Sequence, residues 1–432
     1  MNKHCKKHCN MIKQYLKQAF RLLGENKLLS VISIIGTALA ICMVMVIVIL
    51  YIAKTAGFRP EVNRDRTYYL SVAMSVGKDD GRRLSFGSIG LPLIRECYYP
   101  LECAEVTTAI IRDRWNNQSA LSMDGLKSSN GKVIQTDPAF WKLFSFDFIE
   151  GKPFTEADFE SGIRTVVLSE HIARALFGSE QAVGKEMKLN FNVFRVCGVV
   201  KDVSRFANTA WAEMWIPYTA GTEYNTYWSE GINGHFNCCV LLKEGVTEEE
   251  LRREVQSRIA KFNSTLSDCK ADIGYQPNSQ IVEWLNGGNE GKADMAGAFL
   301  RYGIILFILL LVPAFNLSGI TLSRMRKRIA ELGVRRAFGA SKGNIIGQVL
   351  FENLVFTLVG GLLGLCFSYV AIWLLRDWLL VTSLGDAGLS GGMLNGYVFL
   401  AAFLFCLVMN LMSAGIPAWR VSQVNIIDSI NN

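Results

Sequence analysis

Apolar residues form four long runs along the chain, and the segments between these runs contain both polar and apolar residues. The runs lie at 28–53, 302–323, 353–375 and within 397–416. Each is long and uncharged enough to span a hydrocarbon core about 30 Å thick, which needs about 20 apolar residues in a helix. The first run is too long for the apolar part of a signal peptide, and no small-residue cleavage site clearly follows it. The pattern therefore predicts a membrane protein with four transmembrane α-helices.

The long segment 54–298 alternates strand-like and helix-like stretches. "TYYLSVAMSV", "AEVTTAIIR", "TVVLS" and "FRVCGVVKDV" predict strands, because they are rich in β-branched or aromatic residues and end at turn residues. "SEHIARALFG" predicts a helix with Ser169 as its N-cap and Gly178 just past its end. "TEEELRREVQSRIAKF" predicts a second helix, opened by a capping box of Thr247 and Glu250. We therefore expect a large α+β domain between the first and second transmembrane helices.

The distribution of charge predicts the orientation in the membrane. Residues 1–30 hold seven Lys and Arg against one Glu, and residues 324–342 again hold seven against one. Residues 54–300, in contrast, hold 28 basic and 32 acidic residues. Because basic loops stay in the cytoplasm, we expect both termini there and the α+β domain outside. No nucleic-acid motif accompanies the basic residues, so nucleic acid is not a predicted partner.

These patterns together predict nine segments. They are a cytoplasmic basic amphipathic helix that lies on membrane lipid (1–27), transmembrane helix 1 (28–53), the extracytoplasmic domain (54–298), transmembrane helix 2 (299–323), a cytoplasmic segment (324–343), transmembrane helix 3 (344–375), a short outer loop (376–394), transmembrane helix 4 (395–416) and a cytoplasmic tail (417–432).

Catalytic chemistry has no clear candidate in the sequence. "GSEQAVGK" at 178–185 superficially resembles a phosphate-binding loop, but it has five residues between its glycines, and Glu186 stands where Ser or Thr would bind magnesium. His171 and His235 in the outer domain have no metal-ligand spacing. "HCKKHC" at 4–9 is more typical of a solvated basic terminus than of a metal site. We therefore predict no catalytic, cofactor-binding or metal residue and no cofactor.

Six cysteines lie in the predicted outer domain, where an oxidising compartment permits disulfides. They allow 15 pairings, among which the sequence does not choose. Neighbouring Cys238 and Cys239 are not expected to bond to each other, because successive side chains on a strand point to opposite faces. The six are Cys97, Cys103, Cys197, Cys238, Cys239 and Cys269.

Three clustered glycines mark the third transmembrane helix. Gly360 and Gly364 are four residues apart, with Gly361 between them. Small residues at this spacing let a second helix approach closely, so we predict a helix–helix contact here, with a dimer seam as one form of it. The alternative is that glycine is simply common in transmembrane helices. No ionisable residue lies in the middle of any predicted span, which argues against an ion-driven carrier.

The basic segment before this helix carries a family resemblance. "RMRKRIAELGVRRAFGASKGNIIGQVLFENLVFTLVGGLLG" (324–364) resembles the signature region of the MacB/FtsX-type ABC transporter permeases. "NKLLSVISIIGTALAICMVMVIV" is similar to their first span, and "LSEHIARALFGSEQAVGKEMKLNFNVFRVCGVVKDV" to their extracytoplasmic domain. "PAWRVSQVNIIDSI" is similar to their C-terminal tail.

The resemblance implies a permease subunit that is not itself an ATPase. It would lie in the bacterial plasma (inner) membrane and work as a homo- or heterodimer with a separate cytoplasmic ABC ATPase. A periplasmic adaptor is a further candidate partner. The segment 324–343 would contact the ATPase, by charge-assisted hydrogen bonds and through glycines that permit close approach. A pure topology anchor would explain the charges but not the glycines or the lone glutamate. The implied contact residues are Arg328, Glu331, Gly333, Arg335, Arg336, Gly339 and Ala340.

Three functions are weighed against one another. The first is a permease of an ABC-type export or mechanotransmission complex, which couples ATP hydrolysis in the partner to movement of the outer domain. The second is an FtsX-like regulatory membrane protein that controls a cell-wall or outer-membrane partner without transport. An enzyme acting outside the membrane is third, because the outer domain offers no catalytic arrangement.

Overall fold

The computed structural model describes residues 27–112, 119–123, 127–221, 231–286, 291–305, 307–308 and 341–379, together with residues 400, 403–404, 407–408, 411–412, 415 and 419. The described residues fall into two units. Those within 1–52, 297–375 and 389–432 form a helical unit. Those within 53–296 form the main body of an α+β unit, to which the described residues 376–379 also belong.

Helices occur in both units. Of those described, α1 (29 residues) and α9 (38 residues) are the two that are long and apolar enough to cross a membrane. The helices are α1 (Lys27–Thr55), α2 (Leu91–Cys97), α3 (Phe140–Leu143), α4 (Glu156–Glu160), α5 (Glu170–Phe177), α6 (Glu248–Thr265), α7 (Gln280–Asn286), α8 (Met295–Ile305) and α9 (Lys342–Leu379), with a 3-10 turn at Tyr218–Ala220.

The membrane-spanning pattern is described for two of the four predicted spans. Windows of mean hydropathy 2.6 and 2.1 lie at Ser30–Ile47 in α1 and Ile346–Ala371 in α9. At 1.5 Å per residue, α1 is about 43 Å long, which exceeds the thickness of a hydrocarbon core. The predicted spans 299–323 and 395–416 lie largely outside the described residues, so the count of four stays a prediction.

Sixteen strands are described in the α+β unit. They are β1 (Thr67–Leu70), β2 (Ala73–Gly77), β3 (Arg83–Ile89), β4 (Ala104–Arg112), β5 (Ser119–Met123), β6 (Lys127–Gly131), β7 (Val133–Thr136), β8 (Phe148–Gly151), β9 (Thr165–Ser169), β10 (Glu186–Leu189), β11 (Asn192–Val200), β12 (Met214–Pro217), β13 (Asn233–Gly234), β14 (Phe236–Leu242), β15 (Cys269–Asp272) and β16 (Asn278–Ser279).

Hydrogen bonding links these strands in the order β15-β2-β3-β14-β4-β7-β12-β9-β11-β10-β5-β6. Beside this path, β1 pairs with β14 and β16, β13 with β3, and β8 with β11. Most pairs are antiparallel, but β12 runs parallel to β7 and β11 parallel to β9. A sheet of mixed direction with helices packed on it is an α+β arrangement, as the sequence predicts.

The sheet is covered by apolar side chains on both faces of its centre. In β14, Cys238 and Val240 belong to a core formed with α2 and α6, whereas Cys239 and Leu241 belong to a second core around α3. Aromatic rings fill the second core, where Phe146 meets Trp215 edge-to-face with 5.0 Å between ring centroids. A third core packs α5 against β9 to β12. Strands β4 and β14 are therefore central strands, buried on both sides.

Local cap chemistry sets the ends of the two predicted helices. Helix α5 begins after Ser169, whose hydroxyl accepts a hydrogen bond from the N–H of Ile172, and it ends at Gly178, which has φ of 70°. Helix α6 begins at a capping box in which Thr247 and Glu250 exchange hydrogen bonds. Both predicted caps are confirmed, because each depends only on residues within three or four positions of the helix end.

One predicted strand is divided in two. "TYYLSVAMSV" forms β1 and β2 with a break at Ser71 and Val72, where the side chain of Gln276 replaces a neighbouring strand. Its Oε1 accepts hydrogen bonds from the N–H groups of Ser71 (2.6 Å) and Val72 (3.2 Å), and its Nε2 donates to the carbonyl of Val72 (2.7 Å). A distant side chain thus satisfies the buried backbone, which the local pattern does not reveal.

Candidate functional site

The predicted ATPase contacts lie outside the described residues. Arg328, Glu331, Gly333, Arg335, Arg336, Gly339 and Ala340 all fall within 309–340, so their roles stay predictions.

The predicted helix-packing glycines lie at close contacts within this chain. A Cβ atom built on Gly360 would lie 2.8 Å from Cβ of Thr37 on α1. On Gly364 it would lie 2.8 Å from the carbonyl oxygen of Ala38, also on α1. These separations are shorter than real Cβ contacts, so α9 and α1 are closer here than any larger residue would allow. Gly361 faces another direction, where its Cβ would lie 2.6 Å from the ring of Phe403.

A buried ion pair follows the end of α1 in the α+β unit. The Nε of Arg64 lies 2.8 Å from Oε2 of Glu61, and both side chains are 1% exposed. The Arg64 guanidinium also stacks on the ring of Phe58, 4.1 Å from its centroid. Burial of two charges is costly unless their remaining hydrogen-bonding capacity is satisfied.

That capacity is met by backbone from distant segments. Arg64 donates to the carbonyls of Ala56 (2.8 Å), the residue after α1, and Phe206 (2.6 Å). Oε1 of Glu61 accepts from the N–H groups of Thr209 and Ala210, both at 2.9 Å. The pair therefore fastens the connection after α1 to the loop 206–210. Nothing in the sequence marks it except an acid and a base three residues apart after a proline.

The loop at 178–185 is occupied by an acidic side chain of the protein. Oε2 of Glu150 accepts hydrogen bonds from the N–H groups of Ala182 (2.8 Å) and Val183 (3.1 Å). A carboxylate thus takes the backbone donors that a phosphate would need. The N–H groups of Ala182 and Val183 are therefore not free to bind a phosphate.

Asp137 is a deeply buried carboxylate, and its contacts are structural. Burial raises its pKa, while hydrogen bonds act in the opposite direction. Its oxygens accept from the hydroxyls of Tyr99 and Thr108, both at 2.6 Å, and from the N–H groups of Ala109 (2.9 Å) and Phe140 (3.2 Å). With its acceptor sites filled in this way, the carboxylate joins β4 to the start of α3 and is not available to a substrate.

Other reactive side chains do not form a site in the part of the chain that is described. No group of three or more His, Cys, Asp or Glu there has metal-binding geometry. The six cysteines of the α+β unit are free thiols. Burial, the main cause, raises the pKa of Cys97, Cys103 and Cys197 to about 12, so these thiols are poor nucleophiles at neutral pH.

Two family profiles match the chain. The profile of the MacB-like periplasmic core domain matches residues 30–258, and that of the FtsX-like permease C-terminal region matches residues 303–426. The chain belongs to the MacB/FtsX-type family of ABC transporter permeases. The resemblance drawn from the sequence motifs is thereby confirmed.

Individual relatives are distant. The macrolide export ATP-binding/permease protein MacB of Escherichia coli strain K12 is 24% identical over 422 residues, which cover 96% of this chain and 60% of MacB. The uncharacterized ABC transporter permease YknZ of Bacillus subtilis strain 168 is 24% identical over 306 residues, 70% of each protein. Among solved structures, the periplasmic region of MacB from Actinobacillus actinomycetemcomitans has a TM-score of 0.36 and 18% identity, and covers 52% of this chain and 94% of that one. The chain thus spans about 60% of the length of the MacB relatives that it matches.

Proposed function

We propose that this protein is the permease subunit of an ABC-type export or mechanotransmission complex in the bacterial inner membrane. Four transmembrane helices carry it, with both termini in the cytoplasm and the α+β unit outside. It works as a dimer, and a separate ATPase supplies the energy. The observation that carries this proposal is the order of the two family matches, a periplasmic core domain at 30–258 followed by a permease region at 303–426.

ATP-driven motion enters through the segment 324–343. Arg328, Glu331, Arg335 and Arg336 make charge-assisted hydrogen bonds to the ATPase. Gly333, Gly339 and Ala340 let the two backbones come close. This assignment rests on the family motif and on the composition of the segment, which carries seven basic residues and one glutamate in 324–342.

Motion then passes through α9 and α1 to the outer domain. The close packing at Gly360 and Gly364 supports this route, because two helices in backbone contact move together more readily than helices separated by large side chains. The Glu61–Arg64 pair supports its next step, since it fastens Ala56 to the loop 206–210. A fixed connection of this kind transmits displacement instead of absorbing it.

The decisive experiment tests the ATPase contact. The full chain is purified from its native membranes in mild detergent, as wild type and with Arg335→Glu plus Arg336→Glu. We expect an ABC ATPase to copurify with the wild type and to be lost from the double variant. Lys13→Glu plus Lys17→Glu is the matched control, because it makes the same charge change in the other predicted cytoplasmic segment. An unchanged complex with unchanged ATP hydrolysis in the Arg335/Arg336 variant would refute the proposal.

The FtsX-like regulatory function remains the second candidate, because the same coupling would serve either role. A periplasmic adaptor as partner belongs to the export function, and a wall-degrading enzyme to the regulatory one. The protein that crosslinks to the outer domain in intact cells distinguishes them.

A further inference from the structure

The α+β unit contains a cavity of about 420 Å³ whose lining is more basic than acidic. Its size falls within the range of small-molecule sites, roughly 300–1,000 Å³. The end of α1, the strands β1, β4 and β14, the loop 206–209 and helix α7 all contribute to the lining. The end of α1 and the loop 206–209 also belong to the proposed coupling route, but binding in the cavity is measured without the ATPase, so the two proposals are tested separately.

Among the described residues, three cations and one carboxylate line the cavity. The cations are Lys54, Arg112 and Lys132, and the carboxylate is Glu283. Glu283 already accepts a hydrogen bond from Nδ2 of Asn278 at 3.0 Å. Arg112 also donates a hydrogen bond to the carbonyl of Asn208. The predominance of cations among the described lining residues favours an anionic ligand.

Aromatic rings hold the two lysines. The ammonium of Lys54 lies 5.3 Å from the ring centroid of Trp284 and 5.8 Å from that of Phe206. The ammonium of Lys132 lies 4.7 Å from the centroid of Trp211. Among the described residues, no carboxylate lies within salt-bridge distance of either lysine. A ring leaves an ammonium able to bind an anion, whereas a carboxylate would already neutralise it.

The electrostatic surroundings of Lys132 point in the same direction. Burial lowers its pKa, and the neighbouring charges of Arg112 and Arg205 lower it further, with Glu213 acting in the opposite sense. The positive charges of Arg112 and Arg205 therefore lie close to Lys132. A bound anion would relieve their mutual repulsion.

Three buried polar atoms of the described lining residues lack hydrogen-bond partners. They are the acceptors Oδ1 of Asn237 on β14 and Oε1 of Gln280 on α7, and the hydroxyl of Tyr69 on β1, which can donate as well as accept. A buried acceptor without a donor costs about 1–3 kcal/mol. Bare phosphate, with few donors, would leave such acceptors unsatisfied. A ligand that carries hydroxyl groups as well as negative charge would suit both the cations and the unpaired acceptors of the lining.

We propose that this cavity binds a phosphate group with a hydroxylated substituent, of the glycerophosphate type. Lys54, Arg112 and Lys132 hold the phosphate, and Asn237 and Gln280 accept hydrogen bonds from the hydroxyl groups. Trp284 and Phe206 cover the carbon atoms of the ligand. Two sources share this chemistry, a soluble phosphate monoester and the headgroup of an anionic phospholipid.

Binding to the full chain in uncharged detergent tests the proposal. Isothermal titration with glycerol 3-phosphate measures the soluble source. Native mass spectrometry after exchange into nanodiscs of phosphatidylglycerol or phosphatidylcholine measures the lipid source. We expect saturable binding in at least one arm, weakened about tenfold or more by Lys132→Gln, because a hydrogen bond to a charged group is worth about 1.5–3 kcal/mol.

Two further variants keep the result interpretable. Lys188→Gln removes an exposed charge from β10, away from the cavity, and should bind like the wild type. Lys54→Gln tests a second cation of the lining, in case Lys132→Gln unfolds the unit. Binding of glycerol 3-phosphate indicates a soluble ligand, and selective retention of phosphatidylglycerol alone indicates a lipid headgroup. Two results would overturn the proposal. One is absence of binding in both arms, and the other is binding by Lys132→Gln and by Lys54→Gln that is as tight as binding by the wild type.

Discussion

Glu61 and Arg64 bind each other with both side chains buried, and together they fasten Ala56 at the end of α1 to the loop 206–210. The pair links segments that are far apart in the chain, since Thr209 is 148 residues from Glu61. The stability of the pair depends on both partners being present, because either charge alone would be buried without compensation.

Replacing one member of this pair should therefore destabilise the unit strongly. For Glu61→Gln we expect a loss of about 3–5 kcal/mol. At about 2–4 °C per kcal/mol, that loss lowers the melting temperature by roughly 10 °C. Thermal unfolding of the full chain in detergent, followed by tryptophan fluorescence, measures it. Glu105→Gln is the control, because Glu105 pairs with Arg66 at the surface and should contribute at most about 1 kcal/mol. Equal melting temperatures for the two variants would contradict the structural role of the pair.

A second prediction concerns the contact between α9 and α1. Gly364→Ala should lower the thermal stability of the helical unit, by about 1–3 kcal/mol, because the new methyl group meets the backbone of Ala38. Circular dichroism at 222 nm during heating provides the measurement. Gly347→Ala lies on the same helix where nothing surrounds the added atom, so it should be neutral or slightly stabilising. If Gly364→Ala melts like Gly347→Ala, the close approach is wrong.

The side chain of Gln276 should protect the backbone N–H groups between β1 and β2 from hydrogen exchange. In Gln276→Ala the N–H groups of Ser71 and Val72 lose their acceptor, at a cost of about 1–3 kcal/mol. Hydrogen–deuterium exchange should report this as roughly ten- to a hundredfold faster exchange in peptides that cover these residues. Gln181→Ala, at an exposed position, should leave the same peptides unchanged. Unaltered protection in Gln276→Ala would show that the side chain is dispensable.

Glu254 should make part of the stability depend on pH. Burial would raise the pKa of its carboxyl, but hydrogen bonds from Cys103, from the backbone of Glu102 and Cys103, and from Arg258 together lower it from 4.5 to about 2. The pKa of this carboxyl is lower in the folded chain than in the unfolded chain. Its contribution to the free energy of unfolding is therefore complete above the unfolded pKa, and it is lost as the pH falls through the folded pKa.

The comparison of wild type with Glu254→Gln isolates this contribution. The difference in melting temperature should be constant above about pH 5.5, roughly one unit above the unfolded pKa, and should shrink as the pH falls towards 3. Melting curves of the full chain across this range give the answer. A difference that does not change between pH 7 and pH 3 would mean that the carboxylate is not held as described.

Local features of the fold were predictable, and long-range ones were not. The ends of α5 and α6 follow from side chains within one turn, and β4 and β9 coincide with the predicted "AEVTTAIIR" and "TVVLS". The division between β1 and β2 depends on Gln276, about 200 residues away, so no local pattern contains it. The Glu61–Arg64 pair and the basic cavity likewise combine segments that only the folded chain brings together. The ATPase contacts predicted in 324–343 lie outside the described residues.

The alternation of Cys238 and Cys239 gives the central strand β14 a practical use. One thiol lies in the core beneath α2 and α6 and the other in the aromatic core around α3, and both are shielded from solvent. A thiol reagent can reach either only when its own side of the sheet opens. Two single-cysteine proteins, one retaining each position, would thus report separately on the two halves of the unit while ATP is turned over. Two neighbouring residues thus become independent sensors, each for the core on its own face of the sheet.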